Sequence, residues 1–144
     1  MASDFSHYLP TLQKLGREYS LKYIRIFGSG VKSLKAARDV DLLIGRSDLS
    51  LEVHALLMHE FEKLFGKPID LILPTSKVPG LLIQEIGSTS IPLWEDEEGR
   101  DDFARWFIPR LAIAADEEVA FPVERQREAL LATQKRLHKG SKAT

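Results

Sequence analysis

The sequence predicts an α/β (α+β) fold: a small mixed β-sheet with helices packed on it, followed by a helical extension. Two observations carry that expectation. Short β-prone apolar runs alternate with longer segments whose apolar residues recur at helical spacing, and three of the runs stop at Gly28, Gly45 and Pro74. Leu9, Leu12, Leu15 and Tyr19 lie at helical spacing, with Pro10 tolerable in a first turn, and predict an opening helix with a weak point at Gly16. Residues 22–27 read as a strand through Tyr23, Ile24, Ile26 and Phe27, closed by Gly28-Ser29-Gly30. A short helix over 31–37 leads to a second strand, 40–44, closed by Gly45. Ser50 can cap the next helix, whose Leu51, Val53, Leu57, Phe61 and Leu64 share one face before Gly66 and Pro68 stop it.

Residues 69–73 form a third apolar run broken only by Asp70. A helix over 78–86 and a last strand over 91–94 follow, and the acidic run Glu95 to Glu98 reads as a solvated connector. Residues 1–98 are thus expected to form one domain and residues 99–144 a C-terminal helical extension. Asp101 or Asp102 can cap its first helix, which carries Phe103, Trp106 and Phe107 as a stripe more typical of core than of interface and breaks at Pro109. A second helix is expected from Pro122, with Leu130, Leu131 and Leu137, and the basic tail from Lys139 to Thr144 is expected to fray.

Composition narrows the function. Twenty basic and twenty-one acidic residues in 144 leave a formal charge of −1, so no global field favours nonspecific nucleic-acid or acidic-membrane binding, and any polyanion site must be local. The absence of cysteine removes disulfides, thiolate zinc sites and thiol nucleophiles. With no signal-peptide run and no apolar stretch of membrane-spanning length, a soluble cytoplasmic protein is expected. His54 and His59, five apart on one helix, do not share a face; they read as surface residues and not as a zinc pair.

Three features in order carry the chemistry: Gly28-Ser29 after a strand, Asp39-Val40-Asp41 after nine intervening residues, and Asp70 in the later apolar strand. Alternation along a strand sends Asp39 and Asp41 to the same side while Val40 turns away. Neighbouring carboxylates repel, and a cation between them relieves the repulsion. Magnesium suits hard oxygen ligands and takes one or two carboxylates with substrate phosphates; paired ions stand roughly 3.5–4 Å apart. Asp70, costly to bury alone, must reach solvent or bind metal. Gly28 and Gly30 lack a Cβ and let backbone N–H groups approach a phosphate, Ser29 adds a hydroxyl, and Lys32, Lys35 and Arg38 can neutralise it. Gly-Ser alone is a common turn and Asp-x-Asp alone a common strand end; their joint order and context carry the reading.

At these residues, over about 20–95, the sequence resembles the minimal nucleotidyltransferase domains of the polymerase-beta superfamily, whose motif is a hydrophobic-Gly-Ser turn, an Asp-x-Asp strand and a later strand Asp. Many small members continue the turn as Gly-Ser-Arg-Ala-Arg-Gly, with ten residues before the Asp pair; here Gly30-Val31-Lys32-Ser33 follows. The resemblance implies that Ser29, with Gly28, contacts nucleotide phosphates, that Asp39 and Asp41 bind two magnesium ions, and that Asp70 helps activate the attacking hydroxyl. It also implies transfer of a nucleoside monophosphate, AMP from ATP, to a hydroxyl on a protein or RNA acceptor. Small members of the family are often antitoxins that pair with a HEPT-type toxin, and some transfer AMP to a toxin tyrosine. Residues 99–144 are too short to hold such a toxin, so the partner would be a separate chain. Two other readings stand beside this one: a non-catalytic partner-binding module that occludes a toxin through Phe103, Trp106 and Phe107 or the basic tail, and a toxin that nucleotidylates transfer RNA.

Overall fold

Residues 2–120 are described in a computed structural model of the chain. A 3-10 segment, Ala2–Tyr8, leads into α1 (Leu9–Glu18), β1 (Tyr23–Phe27), α2 (Ser29–Lys32), β2 (Val40–Ile44) and α3 (Leu51–Phe65). β3 (Ile69–Ile72), α4 (Gly80–Thr89), β4 (Ile91–Glu95) and α5 (Gly99–Ala120) complete them. The strands form one sheet in the order β3-β2-β1-β4. β1 runs antiparallel to both β2 and β4, and β2 pairs with β3 in parallel, so the sheet is mixed.

Alternation along the strands divides the side chains between two faces. Ile24, Ile26, Val40, Leu42, Ile44, Ile69 and Leu71 turn to one face, where they meet Leu12 and Leu15 of α1 and Leu57, Phe61 and Phe65 of α3. Phe61 is fully enclosed there, and burying a side chain of that size stabilises the fold by about 1.5–3 kcal/mol. Tyr23, Phe27 and Leu43 turn to the opposite face and are covered by Ile86 of α4 and by Phe103, Trp106 and Phe107 of α5. The aromatic stripe is therefore packed against the sheet. Phe103 meets Tyr23 edge-on at 5.5 Å and stacks with Phe107 at 5.0 Å.

Several elements depart from the sequence expectation. The helix expected over 31–37 begins earlier, at Ser29, and lasts a single turn to Lys32. α3 is capped as expected, the Ser50 hydroxyl accepting the Val53 N–H at 3.2 Å, and it ends on left-handed Gly66. Its buried face, however, is Leu57, Phe61 and Phe65, while Leu51 is 90% exposed at the open first turn. His54 is half-buried, its Nε2 standing 3.3 Å from the Leu71 carbonyl, and is not a plain surface residue. Pro109 does not break α5, which runs through it to Ala120. The bond that proline cannot donate is the one to the carbonyl of Arg105, and both residues are exposed, open to solvent. The acidic run is solvated at Glu97 and Glu98, as expected, and is also tied to the residue before β1: Lys22 pairs with Asp96 at 3.7 Å and Glu98 at 3.4 Å, and the Asp96 N–H bonds the Lys22 carbonyl at 2.9 Å. The helix expected from Pro122 and the tail from Lys139 lie outside the described residues. No helix among the described residues is long and apolar enough to cross a membrane.

Candidate active site

The two features that the sequence separates by nine residues meet where β1 ends and β2 begins. Phe27 pairs with Asp41 across that antiparallel ladder. Gly28 follows at φ 75° and ψ −153°, a conformation tolerated in practice by glycine alone. It turns the chain straight into α2. Ser29 is exposed as the first residue of that helix, and the N–H groups of Ser29 and Gly30 precede the helix's first internal bond.

Both glycines also have packing roles in the turn. The Gly28 N–H donates to the Thr89 hydroxyl at 2.9 Å and is not turned toward a ligand. Its missing Cβ makes room for carboxylates: a Cβ would stand 2.7 Å from Asp41 Oδ2 and 3.2 Å from Glu85 Oε1. Gly30 is buried, and a Cβ on it would lie 3.1 Å from Ile26 Cδ1, so its small size lets α2 settle on β1.

Asp41 and Asp70 are direct partners across the parallel β2–β3 pair. Their side chains therefore project to the same face from strands about 4.8 Å apart. That face is the one α4 covers, and Glu85 reaches the group from α4. Asp39 is exposed on the bend just before β2, near enough for its charge to act on Asp41. The consequence falls on Asp41, whose carboxyl is pushed up to about 7. Burial is the largest cause, followed by the charges of Asp70 and Asp39, a hydrogen bond with Asp70, and the charge of Glu85.

This donor set fits a divalent hard cation. Asp70, Asp39 and Glu85 each bring negative charge to bear on Asp41, and that repulsion is what such an ion relieves. Among the described residues no group of three or more acidic or imidazole side chains is placed to hold a metal ion by itself. Magnesium needs none, because it retains several waters and binds through one or two carboxylates and the substrate's own phosphates.

Lys32, Lys35 and Arg38 are exposed on the loop between Ser29 and Asp39. The cation that organises this loop is Lys67, which the sequence reading does not single out. Its ammonium donates to the carbonyls of Leu34, Lys35 and Ala37, using all three of its protons. Nothing in the local sequence marks it, since Gly66-Lys67-Pro68 reads as a plain loop. Glu85 was more legible, as the one charged side chain in α4. Lys67→Met leaves three carbonyls without their donor and is expected to lower stability by about 2 kcal/mol. A urea titration of the metal-free protein reads this loss, and an unchanged midpoint would show that the loop holds itself.

No family model and no curated protein matches the sequence. Solved structures do match the fold. A chain of a toxin–antitoxin complex with AMP-PNP superimposes with a TM-score of 0.61 at 17% identity, over 88% of this chain and 98% of that one. A chain from a complex of tri-AMPylated Shewanella oneidensis HEPN toxin with MNT antitoxin gives 0.60 at 16%, over 91% and 98%. A protein provisionally classed as a minimal nucleotidyltransferase gives 0.50 at 23%, over 63% and 94%. This chain has the minimal nucleotidyltransferase fold. In that fold the Gly28-Ser29 turn, the Asp39/Asp41 strand and Asp70 come together at one rim of the sheet, beside α4. Fold likeness at such low identity leaves the activity to be argued from the residues themselves.

Proposed function

We propose that the chain is a magnesium-dependent nucleotidyltransferase that moves AMP from ATP to a hydroxyl of a partner protein, a separate HEPT-type toxin chain in the cytoplasm. The observation that carries the reading is the convergence of Asp39, Asp41, Asp70 and Glu85 beside the Gly28-Ser29 turn. The neighbour from a toxin–antitoxin complex with AMP-PNP and the neighbour from a complex with an AMPylated toxin support it as fold relatives.

Ser29, through its hydroxyl and the leading N–H groups of α2, receives the terminal phosphates of the nucleotide. Lys32 at the end of that turn adds positive charge beside them. Asp39 and Asp41 hold magnesium, two ions in this reading, which when bound neutralises triphosphate charge and stabilises the attacking and leaving oxygens. Asp70 takes the proton from the acceptor hydroxyl as its oxygen bonds to the α-phosphorus and the bond to pyrophosphate breaks. A domain this small leaves the acceptor to complete the site. RNA ends are the other acceptors with a suitable hydroxyl.

The test incubates the chain with ATP labelled at the α-phosphate, magnesium and a purified HEPT-type toxin as acceptor. Label on the toxin, lost in an Asp39→Ala and Asp41→Ala double variant that still folds, is the expected result. A second reading rests on α5, where Ile108 is 63% and Leu111 40% exposed three residues apart. Such an apolar face suits a module that silences its partner by contact alone. Unlabelled toxin that is nevertheless inhibited by the double variant would select it.

A further inference from the structure

The end of β1 poses a hydrogen-bonding problem. β1 and β4 pair as far as Ile26 opposite Ile91, so continuing the antiparallel register places Gly28 opposite Thr89. At Thr89, though, the chain is still the last turn of α4, and its carbonyl is aligned with the helix axis instead of facing the sheet. The Gly28 N–H has no ladder partner there, and an unpaired donor in a half-covered position is costly.

A side chain fills the gap. Thr89 Oγ1 accepts the Gly28 N–H at 2.9 Å, and its own proton goes to the Glu85 carbonyl at 2.8 Å. The hydroxyl is thus fixed from both sides and presents a lone pair to Gly28. The next residue ties the same helix end to the same strand: Arg25 Nε and Nη2 donate to the Ser90 hydroxyl at 3.2 and 3.1 Å, and Nη2 to the Ser90 carbonyl at 3.3 Å. Arg25 is backed in turn by the Phe103 ring, 4.0 Å from its guanidinium carbon.

We infer that Thr89 is a positioning residue for the nucleotide turn: its hydroxyl stands in for the missing strand carbonyl, fixes the Phe27–Gly28 peptide plane, and so sets where Ser29 presents its donors. The same helical turn holds Glu85 beside Asp41, so one element locates both the phosphate turn and the fourth carboxylate. The inference rests on the reading of Ser29 as a phosphate contact. It adds a residue outside the Gly-Ser and Asp-x-Asp pattern on which that contact depends.

Thr89→Val keeps the shape and removes the acceptor; Thr89→Ser keeps the acceptor. Two readouts are taken on the full chain well below its melting temperature: the dissociation constant for ATP with magnesium by calorimetry, and hydrogen exchange at the Gly28 amide by NMR. Thr89→Val is expected to weaken ATP about tenfold and to accelerate Gly28 exchange, and Thr89→Ser to restore both. A Thr89→Val protein that is less heat-stable yet binds ATP as the native chain does would overturn the inference and leave Thr89 a packing residue. Should Thr89→Val not fold, Thr89→Ala makes the same comparison. Failure of the native chain to bind ATP would sink the nucleotidyltransferase reading instead, and Gly28 exchange would still decide whether the hydroxyl holds the turn.

Discussion

Asp41→Asn is expected to make the metal-free protein more stable at pH 8 and unable to bind magnesium-ATP. The Asp41 carboxyl is raised from its ordinary 3.8 to about 7 in the folded chain. Folding therefore favours its protonated form. The stability from that proton is fully present below about pH 4 and is lost as pH rises through 7. Asparagine carries the protonated form's shape and neutrality at every pH. The variant should melt on the order of 5 °C higher than the native chain at pH 8, after allowance for partial solvent screening, by a smaller margin at pH 5, and at nearly the same temperature below about pH 4. Magnesium and ATP added together should raise the melting temperature of the native chain and leave the variant unmoved. A variant no more stable than the native chain at pH 8 would mean that the carboxylates do not crowd one another as the structure places them.

Gly28→Ala should be damaging on two counts. Its φ of 75° and ψ of −153° lie where an alanine costs on the order of 1–3 kcal/mol, and the new methyl would stand 2.7 Å from Asp41 Oδ2. The turn or the carboxylate must move, and either displacement separates Ser29 from the acidic group. Circular dichroism is expected to show a folded protein with a melting temperature lower by several degrees, and calorimetry a loss of at least a hundredfold in ATP affinity. The contrasting control is Gly66→Ala. Gly66 shares a positive φ of 69°, but a Cβ there meets nothing within 4 Å. That variant should lose stability from backbone strain and retain ATP binding, and equal binding losses in the two would place the effect in general unfolding.

Much of the fold was legible because local chemistry specified it. Alternating apolar residues in β1 and β2, the Ser50 cap and the Gly66 stop needed no distant partner to be read. The departures occur where a distant partner decides. Proline usually ends a helix, yet α5 continues past Pro109 because Pro109 and Arg105 are open to solvent while Phe103, Trp106 and Phe107 anchor the preceding turns to the sheet. The acidic run reads as solvated by composition, and Lys22, more than seventy residues earlier, pairs with it.

The candidate site divides along the same line. Residue type and order alone set out the Gly28-Ser29 turn and the three aspartates, though Asp39 sits on the bend just before β2 and not in the strand. Only the tertiary structure decided that β3 lies beside β2 in parallel register, bringing Asp70 against Asp41, and that α4 crosses the same rim with Glu85 and Thr89. The physical reason is range: backbone periodicity and turn preference act over a few residues, whereas the crowding that raises Asp41 and the hydroxyl that holds Gly28 depend on which strands and helices bury their apolar faces together.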